Sequence, residues 1–426
     1  MKSPPAQKSE TVSRSIKFAG LYYLLIFVIM PLFSDVFSAI ARLPLGVGVL
    51  MIALAIYDGR PLEQIRLSSQ LFFLFSFFYV LSSLYGTDAP GAMEGIIMLF
   101  RQMGIGVVLV LAVRSTKDLE FMFKLFVWSG IISAIYGMLF IIPQLAPVGF
   151  FLRSLGLPSG RDANALRMIG VLNDPTYFGL SILPGFLISL NNVLRTRTQS
   201  GWLSIGSAIL LFFAIILSFS RTTWAGMLVG ILVLTGFTKN LFKAVMFVVV
   251  FILVMQITAM DDFLSAAMSE NASRSTIDLS KQEDSRTYVW KAYFKLALEN
   301  PLGYGMGSIE TLRWYATWSV ATPTAEHRPH NAYLIIWVEG GLQSLIPFMA
   351  LLITSLKRSW SIRSYGDRVN KKDYGTLAVA LIASMAVGLF SLGGMFQLLA
   401  INISLGLSIW YLKVDKQLVP VTKTTV

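Results

Sequence analysis

Both histidines of this chain fall in one short polar run, Glu326-His327-Arg328-Pro329-His330-Asn331, which leads directly into an apolar stretch. Imidazole takes up a proton near neutral pH, so a histidine placed there can act as a general base. His330 is the better candidate, because it follows a proline that restricts the backbone and stands at the very edge of the apolar stretch. The plainer alternative is a structural, hydrogen-bonding histidine. His327 and His330 could also be read with Glu326 as metal ligands. Two imidazoles and one carboxylate on one short segment make no closed set, so no metal is expected.

Three arginines suit an anion. Arg221 stands in Ser218-Phe219-Ser220-Arg221-Thr222-Thr223-Trp224, Arg286 opens an amphipathic run, and Arg167 begins Arg167-Met168-Ile169-Gly170-Val171-Leu172-Asn173-Asp174-Pro175. A guanidinium is planar, always charged and able to grip a phosphate with two parallel hydrogen bonds. The competing readings are a snorkelling side chain at a helix end for Arg221 and a salt bridge to Asp284 or Glu283 for Arg286. Arg286 is expected in the first turn of a helix capped by Asp284. A cation there opposes the helix dipole unless an anion binds between them.

Arg101 and Glu339 lie inside apolar stretches. Each is ~8–10 positions from the outer end of its stretch, so both sit at a depth of roughly 12–15 Å. Charges at that depth pair, so a structural ion pair is expected, with a proton or ion path as the alternative.

The elements that would carry these residues are membrane spans. The chain is 55% hydrophobic and 14% charged, where ordinary soluble domains are about 25% charged. It has no cysteine, which excludes a disulfide framework and thiolate chemistry. A span needs ~20 mostly apolar residues. That criterion predicts an all-α integral membrane protein with about twelve transmembrane helices, near 17–36, 43–57, 67–85, 92–113, 119–142, 175–194, 201–219, 222–238, 241–260, 332–356, 374–392 and 394–412. The start, Met1–Glu10, is polar and lacks the short apolar core of a cleavable signal, so the first span is expected to be retained.

Basic residues recur at every second connection: Arg60 and Arg66, Arg114 and Lys117, Arg195 and Arg197, Lys239 and Lys243, then Lys357 to Lys372. Lys and Arg collect in short cytoplasmic loops. Both termini are therefore expected in the cytoplasm, and the net charge of +12 needs no nucleic acid to explain it. The division that follows is 1–260 with nine spans and an outer loop at 143–174, an outer domain at 261–331, and 332–426 with three spans and a cytoplasmic tail. Within the outer domain, Val289, Tyr293 and Leu296 and the row Trp290, Phe294 and Ala297 fall at helical spacing, so a helix is expected over 285–299. Asn300-Pro301-Leu302-Gly303 ends it. Gly303, Gly305 and Gly307 are expected to form a flexible turn. Trp314, Tyr315 and Trp318 suit the headgroup level or a sugar ring.

Several of these stretches resemble motifs of the O-antigen ligase and polymerase superfamily of bacterial envelope glycosyltransferases. Arg167–Tyr177 (RMIGVLNDPTY) resembles the family's first outer motif, and Ser220-Arg221-Thr222-Thr223-Trp224 its arginine turn. Arg286 and Trp290 with Asn300-Pro301-Leu302-Gly303-Tyr304-Gly305 resemble the large-loop motif. His330-Asn331 with Gly341 resembles the segment that marks the ligase branch. Ser344 departs from the pattern, which would place a second glycine there. The resemblance implies a GT-C-like fold with a large helical periplasmic loop between spans nine and ten. It also implies an inverting, metal-independent transferase that needs no cofactor. The donor would be a glycan on undecaprenyl diphosphate and the acceptor a sugar hydroxyl of lipid A–core, at the periplasmic face of the inner membrane. His330 would be the base, and Arg221, Arg286 and Arg167 would hold the diphosphate. A polymerase using the same donor and a lipid-linked glycan flippase are the alternatives.

Overall fold

The computed structural model describes residues 16–17, 66–86, 92–93, 96, 99, 113, 115–142, 144–154, 159–160, 167–172, 174–195, 201–236, 279–309, 311–312, 329–364, 374–391 and 403. Regular structure among them is helical. In chain order the helices are α1 (Arg66–Leu81), α2 (Thr116–Ile141), α3 (Ala146–Ser154), α4 (Pro175–Arg195), α5 (Trp202–Leu217), α6 (Arg221–Gly236), α7 (Leu279–Glu299), α8 (Ala332–Ser364) and α9 (Tyr374–Gly388). Short 3-10 turns follow α1 at Ser82–Tyr85 and α9 at Leu389–Ser391.

Helix starts follow the local sequence. Ser115 and Asp118 form a capping box at α2: the Asp118 amide donates to Ser115 Oγ (3.1 Å) and the Ser115 amide to Asp118 Oδ2 (3.0 Å). Asp174 accepts from the amides of Thr176 and Tyr177 (2.8 and 2.9 Å), with Pro175 as the first helical residue.

Among the described residues, three helices are long and apolar enough to cross a membrane: Lys117–Ile141, Pro175–Leu194 and Ala332–Ser361. Four shorter apolar helices, Gln70–Tyr85, Trp202–Leu217, Arg221–Gly236 and Tyr374–Gly388, pack beside them. These seven lie where the sequence places spans 67–85, 119–142, 175–194, 201–219, 222–238, 332–356 and 374–392. The expected spans 17–36, 43–57, 92–113, 241–260 and 394–412 lie outside the described residues, isolated positions apart. Phe126, Phe178, Phe186, Leu183 and Leu211 form the buried centre. Small residues allow close helix contact. A Cβ on Gly226 of α6 would stand 2.8 Å from the Ser384 carbonyl oxygen of α9.

Side-chain contacts sort the helix termini into two ends. At one, Arg358 near the finish of α8 donates to Ser68 near the start of α1 (2.6 Å), and Tyr374 at the start of α9 donates to Glu120 of α2 (3.3 Å). Helix termini carrying Arg66, Lys117, Lys357, Arg358 and Arg363 gather here. At the opposite end, Tyr333 in the first turn of α8 donates to the Ala386 carbonyl (2.8 Å), and Leu180 of α4 meets Gly388. Ser220 before α6 donates to Thr176 of α4 (3.2 Å), and the Met168 amide to the Leu217 carbonyl closing α5 (2.9 Å).

One helix departs from expectation. α7 begins at Leu279 rather than near 285, so Asp284 is inside it and Arg286 is not in its first turn. The conflict between Arg286 and the helix dipole therefore does not arise. Val289, Tyr293 and Ala297 are buried against Leu334, Ile335 and Val338 of α8, so α7 is fixed to a spanning helix by its apolar face. Its outer face keeps a Lys295–Glu299 pair at 3.7 Å.

Candidate functional site

The end of the bundle opposite the gathered basic termini carries two corners on either side of the end of α9. The first is the turn between α5 and α6. Ser218 and Phe219 close α5, and Phe219 adopts φ 48°, a left-handed conformation uncommon for a side chain of this size. Its ring lies 6.2 Å from that of Trp224, whose Nε1 donates to the Ile215 carbonyl (3.1 Å). Ser220 Oγ accepts from Thr223 Oγ1 (3.0 Å). This tightly bonded turn leaves Arg221 exposed at the first position of α6. The Arg167 segment is joined to it through the Met168–Leu217 backbone bond, and Arg167 itself is half-buried. The structure thus brings Arg167 and Arg221 to one corner.

The second corner holds His330. Its side chain is exposed and its φ is 42°. Bonds on both sides hold this left-handed residue. Trp290 Nε1 of α7 donates to the Pro329 carbonyl at 2.6 Å. Asn331 caps α8, its side-chain oxygen accepting from the Leu334 amide (3.1 Å). Arg286 is one turn before Trp290 on α7, about 6 Å along the helix axis. Arg286 therefore belongs to the helix that grips the residue preceding His330. Beside this corner, Trp290, Phe294, Tyr333, Leu334, Trp337 and Leu345 line a largely apolar groove of about 390 Å³, with Lys291 and Asn331 contributing polar groups.

Between α7 and α8 the segment 300–309 is not a flexible turn. Gly303, Gly305 and Gly307 have φ of 86°, 98° and 83°, and Gly303 and Gly305 are buried. They dock into a break in α8 at Gly341 (φ 70°, ψ −178°). The Tyr304 and Gly305 amides donate to the Val338 and Glu339 carbonyls (2.7 and 2.9 Å), and the Leu342 amide donates to the Pro301 carbonyl (2.9 Å). Backbone groups freed by the break are thereby satisfied. Gln343 Nε2 and Tyr85 Oη both donate to the Leu302 carbonyl (2.6 and 2.8 Å). Partial burial, with the Glu299 charge as a smaller cause, holds the Tyr304 phenol above its ordinary pKa.

Glu339 is buried, and its carboxylate accepts from Tyr79 Oη and from the Gly307 and Ile309 amides (3.1 and 3.5 Å). Its expected partner Arg101 and the alternative metal ligand His327 lie outside the described residues. At Ser344, where the motif pattern would place glycine, the buried hydroxyl donates to the Gly340 carbonyl (2.7 Å), so the side chain is absorbed within α8. Sequence reasoning did not find the Trp290–Pro329 and Ser220–Thr176 bonds or the amides that surround Glu339. The one trace of them was the spacing of glycines at 303, 305 and 307.

Residues 206–349 match the family described as O-antigen ligase. A comparison with curated proteins returns no match. The matching stretch runs from within α5 through the first part of α8, so it contains Arg221, Arg286, His330 and Glu339, whereas Arg167 precedes it. The three helices long and apolar enough to cross a membrane mark the chain as a membrane protein.

Proposed function

We propose that this protein transfers a glycan from undecaprenyl diphosphate to a sugar hydroxyl of lipid A–core at the periplasmic face of the bacterial inner membrane. The observation that carries the reading is the exposure of Arg221 and His330 at one end of an apolar helical bundle, within the stretch that matches the O-antigen ligase family. The gathered basic termini occupy the other end. The positive-inside tendency therefore supports a cytoplasmic location for them and an outward location for the two corners. The apolar groove beside His330 suits a site that meets a lipid-borne substrate.

In this mechanism His330 removes the proton from the acceptor hydroxyl. The hydroxyl oxygen attacks the anomeric carbon from the face opposite the diphosphate, and the carbon–oxygen bond to the diphosphate breaks. The anomeric centre is inverted, undecaprenyl diphosphate leaves, and the proton stays on His330. Arg221, Arg286 and Arg167 hold the diphosphate and take up its growing negative charge, the step at which fixed donors count most. Cations in that position do the work that a metal ion performs elsewhere.

A polymerase with the same donor would use the same corners, so the product decides between the two. Deletion of the protein in an O-antigen-producing cell is expected to leave complete glycan on undecaprenyl diphosphate and a bare lipid A–core. Single repeats on the core would assign the polymerase reaction instead. Repeats trapped in the cytoplasmic leaflet would assign a flippase.

Orientation is checked separately. The chain has no cysteine, and Leu298 and Ser361 are both exposed. Single cysteines at these positions should react with an impermeant reagent in intact spheroplasts at Leu298 and not at Ser361. The reverse pattern would place the arginine and histidine corners on the wrong side for this reaction.

A further inference from the structure

We propose that Glu339 is a positioning residue, a buried latch that holds the 300–309 loop in the break of α8 and through it sets the place of His330. The proposal rests on the transferase reading above and adds a role which that reading does not use. Glu339 lies nine residues beyond His330 on the same segment, about 13 Å along the helix axis, too far to touch the reacting atoms.

The connection runs through fixed bonds. The carboxylate gathers the Gly307 and Ile309 amides from the loop and Tyr79 Oη from the end of α1. Its own backbone carbonyl accepts from Gly305. One residue therefore ties three parts of the chain together: α1, the loop and α8. The loop is continuous with α7, which ends at Glu299 and packs Val289, Tyr293 and Ala297 on α8. α7 carries Trp290, whose indole holds the Pro329 carbonyl directly before His330. His330 has a left-handed φ that it keeps only while its surroundings impose it. Release of the loop would let α7 shift, loosen the Trp290–Pro329 bond and free the His330 backbone.

The latch depends on acceptor oxygens at a particular place, not on charge as such. Glu339→Gln supplies one carbonyl oxygen for the two amides and an NH₂ that can donate to Tyr79 Oη. Glu339→Ala supplies neither. An ion path or a pairing role dependent on charge would be lost equally in both. The full chain in detergent, with spin labels at Leu298→Cys and Ile353→Cys, reports the α7–α8 distance, since both positions are exposed. Transfer of glycan from undecaprenyl diphosphate to lipid A–core is measured on the same preparations.

The expected result is a narrow distance distribution in the parent and in Glu339→Gln, and a broad one in Glu339→Ala. kcat should fall by about 10²-fold in Glu339→Ala, the scale of a misplaced catalytic group. It should stay within about fivefold in Glu339→Gln, where charge-assisted hydrogen bonds give way to neutral ones. In a His330→Ala background, Glu339→Ala should cost less than about tenfold, because the base it positions is already gone. A merely structural residue would show the full loss in both backgrounds.

Equal damage from Gln and Ala, an unchanged distance distribution in Glu339→Ala, or full additivity with His330→Ala would each overturn the proposal. If Glu339→Ala does not fold, Glu339→Gln still decides it: loss of transfer at normal expression rejects the latch. If the parent shows no transfer, the functional reading fails, while the distance distributions still decide whether the latch exists.

Discussion

His330→Ala should lose most transfer activity, by about 10²–10⁴-fold, while donor binding is retained. The side chain is exposed, so its removal opens no cavity in the core. The neighbouring anchors, Trp290 on Pro329 and the Asn331 cap, remain in place. The loss should therefore read as chemistry, with kcat lowered and the amount of folded protein unchanged. His327→Ala is the control, since a base requires one ring and a metal site would require both. His327→Ala should retain transfer, and a chelator should leave the parent enzyme unaffected. Equal loss from both substitutions together with chelator sensitivity would assign a metal site. Near-normal transfer by His330→Ala would remove the proposed base.

The second large effect concerns the arginines. Arg221→Lys and Arg286→Lys should each lose transfer by about 10²–10³-fold, the scale of removing one donor to a developing negative charge. An ammonium keeps the charge, but it cannot present the planar two-pronged donor that fits a diphosphate. Arg221 makes the cleaner case. It is exposed at the first position of α6, and the turn before it is held by Ser218, Ser220 and Trp224 independently of its guanidinium. Full activity in both lysine variants at equal expression would reduce the two arginines to surface charges.

Much of the arrangement was legible in the sequence because its signals are local. The spans near 175–194, 201–219, 222–238 and 332–356 stand out as apolar runs, and the few residues left between the second and third of them force a tight turn before Arg221. Most of the basic connections that the sequence alternates, Arg60, Arg114, Arg197, Lys239 and Lys243 among them, lie outside the described residues. Where the reading failed, the cause was long-range.

The start of α7 was placed late because Leu279–Asp284 includes Lys281, Gln282 and Glu283, good helix formers with no apolar periodicity. The pattern becomes visible only where Val289 and Tyr293 begin to face α8. Gly303, Gly305 and Gly307 read as flexibility because nothing nearby in sequence shows the Gly341 break that receives them. Arg101, the partner expected for Glu339, lies outside the described residues. The backbone amides and the phenol from which Glu339 accepts leave no mark on a charge pattern.

The central claim is that the exposed arginine and histidine corners transfer a lipid-linked glycan. Its most direct test supplies the purified protein with glycan on undecaprenyl diphosphate and with lipid A–core, in chelator, and identifies the product. The expected product is glycan joined to lipid A–core with inverted anomeric configuration, lost in the Arg221→Lys and His330→Ala proteins. A product of longer chains still attached to undecaprenyl diphosphate, or no glycosyl transfer by a folded parent protein, would contradict it.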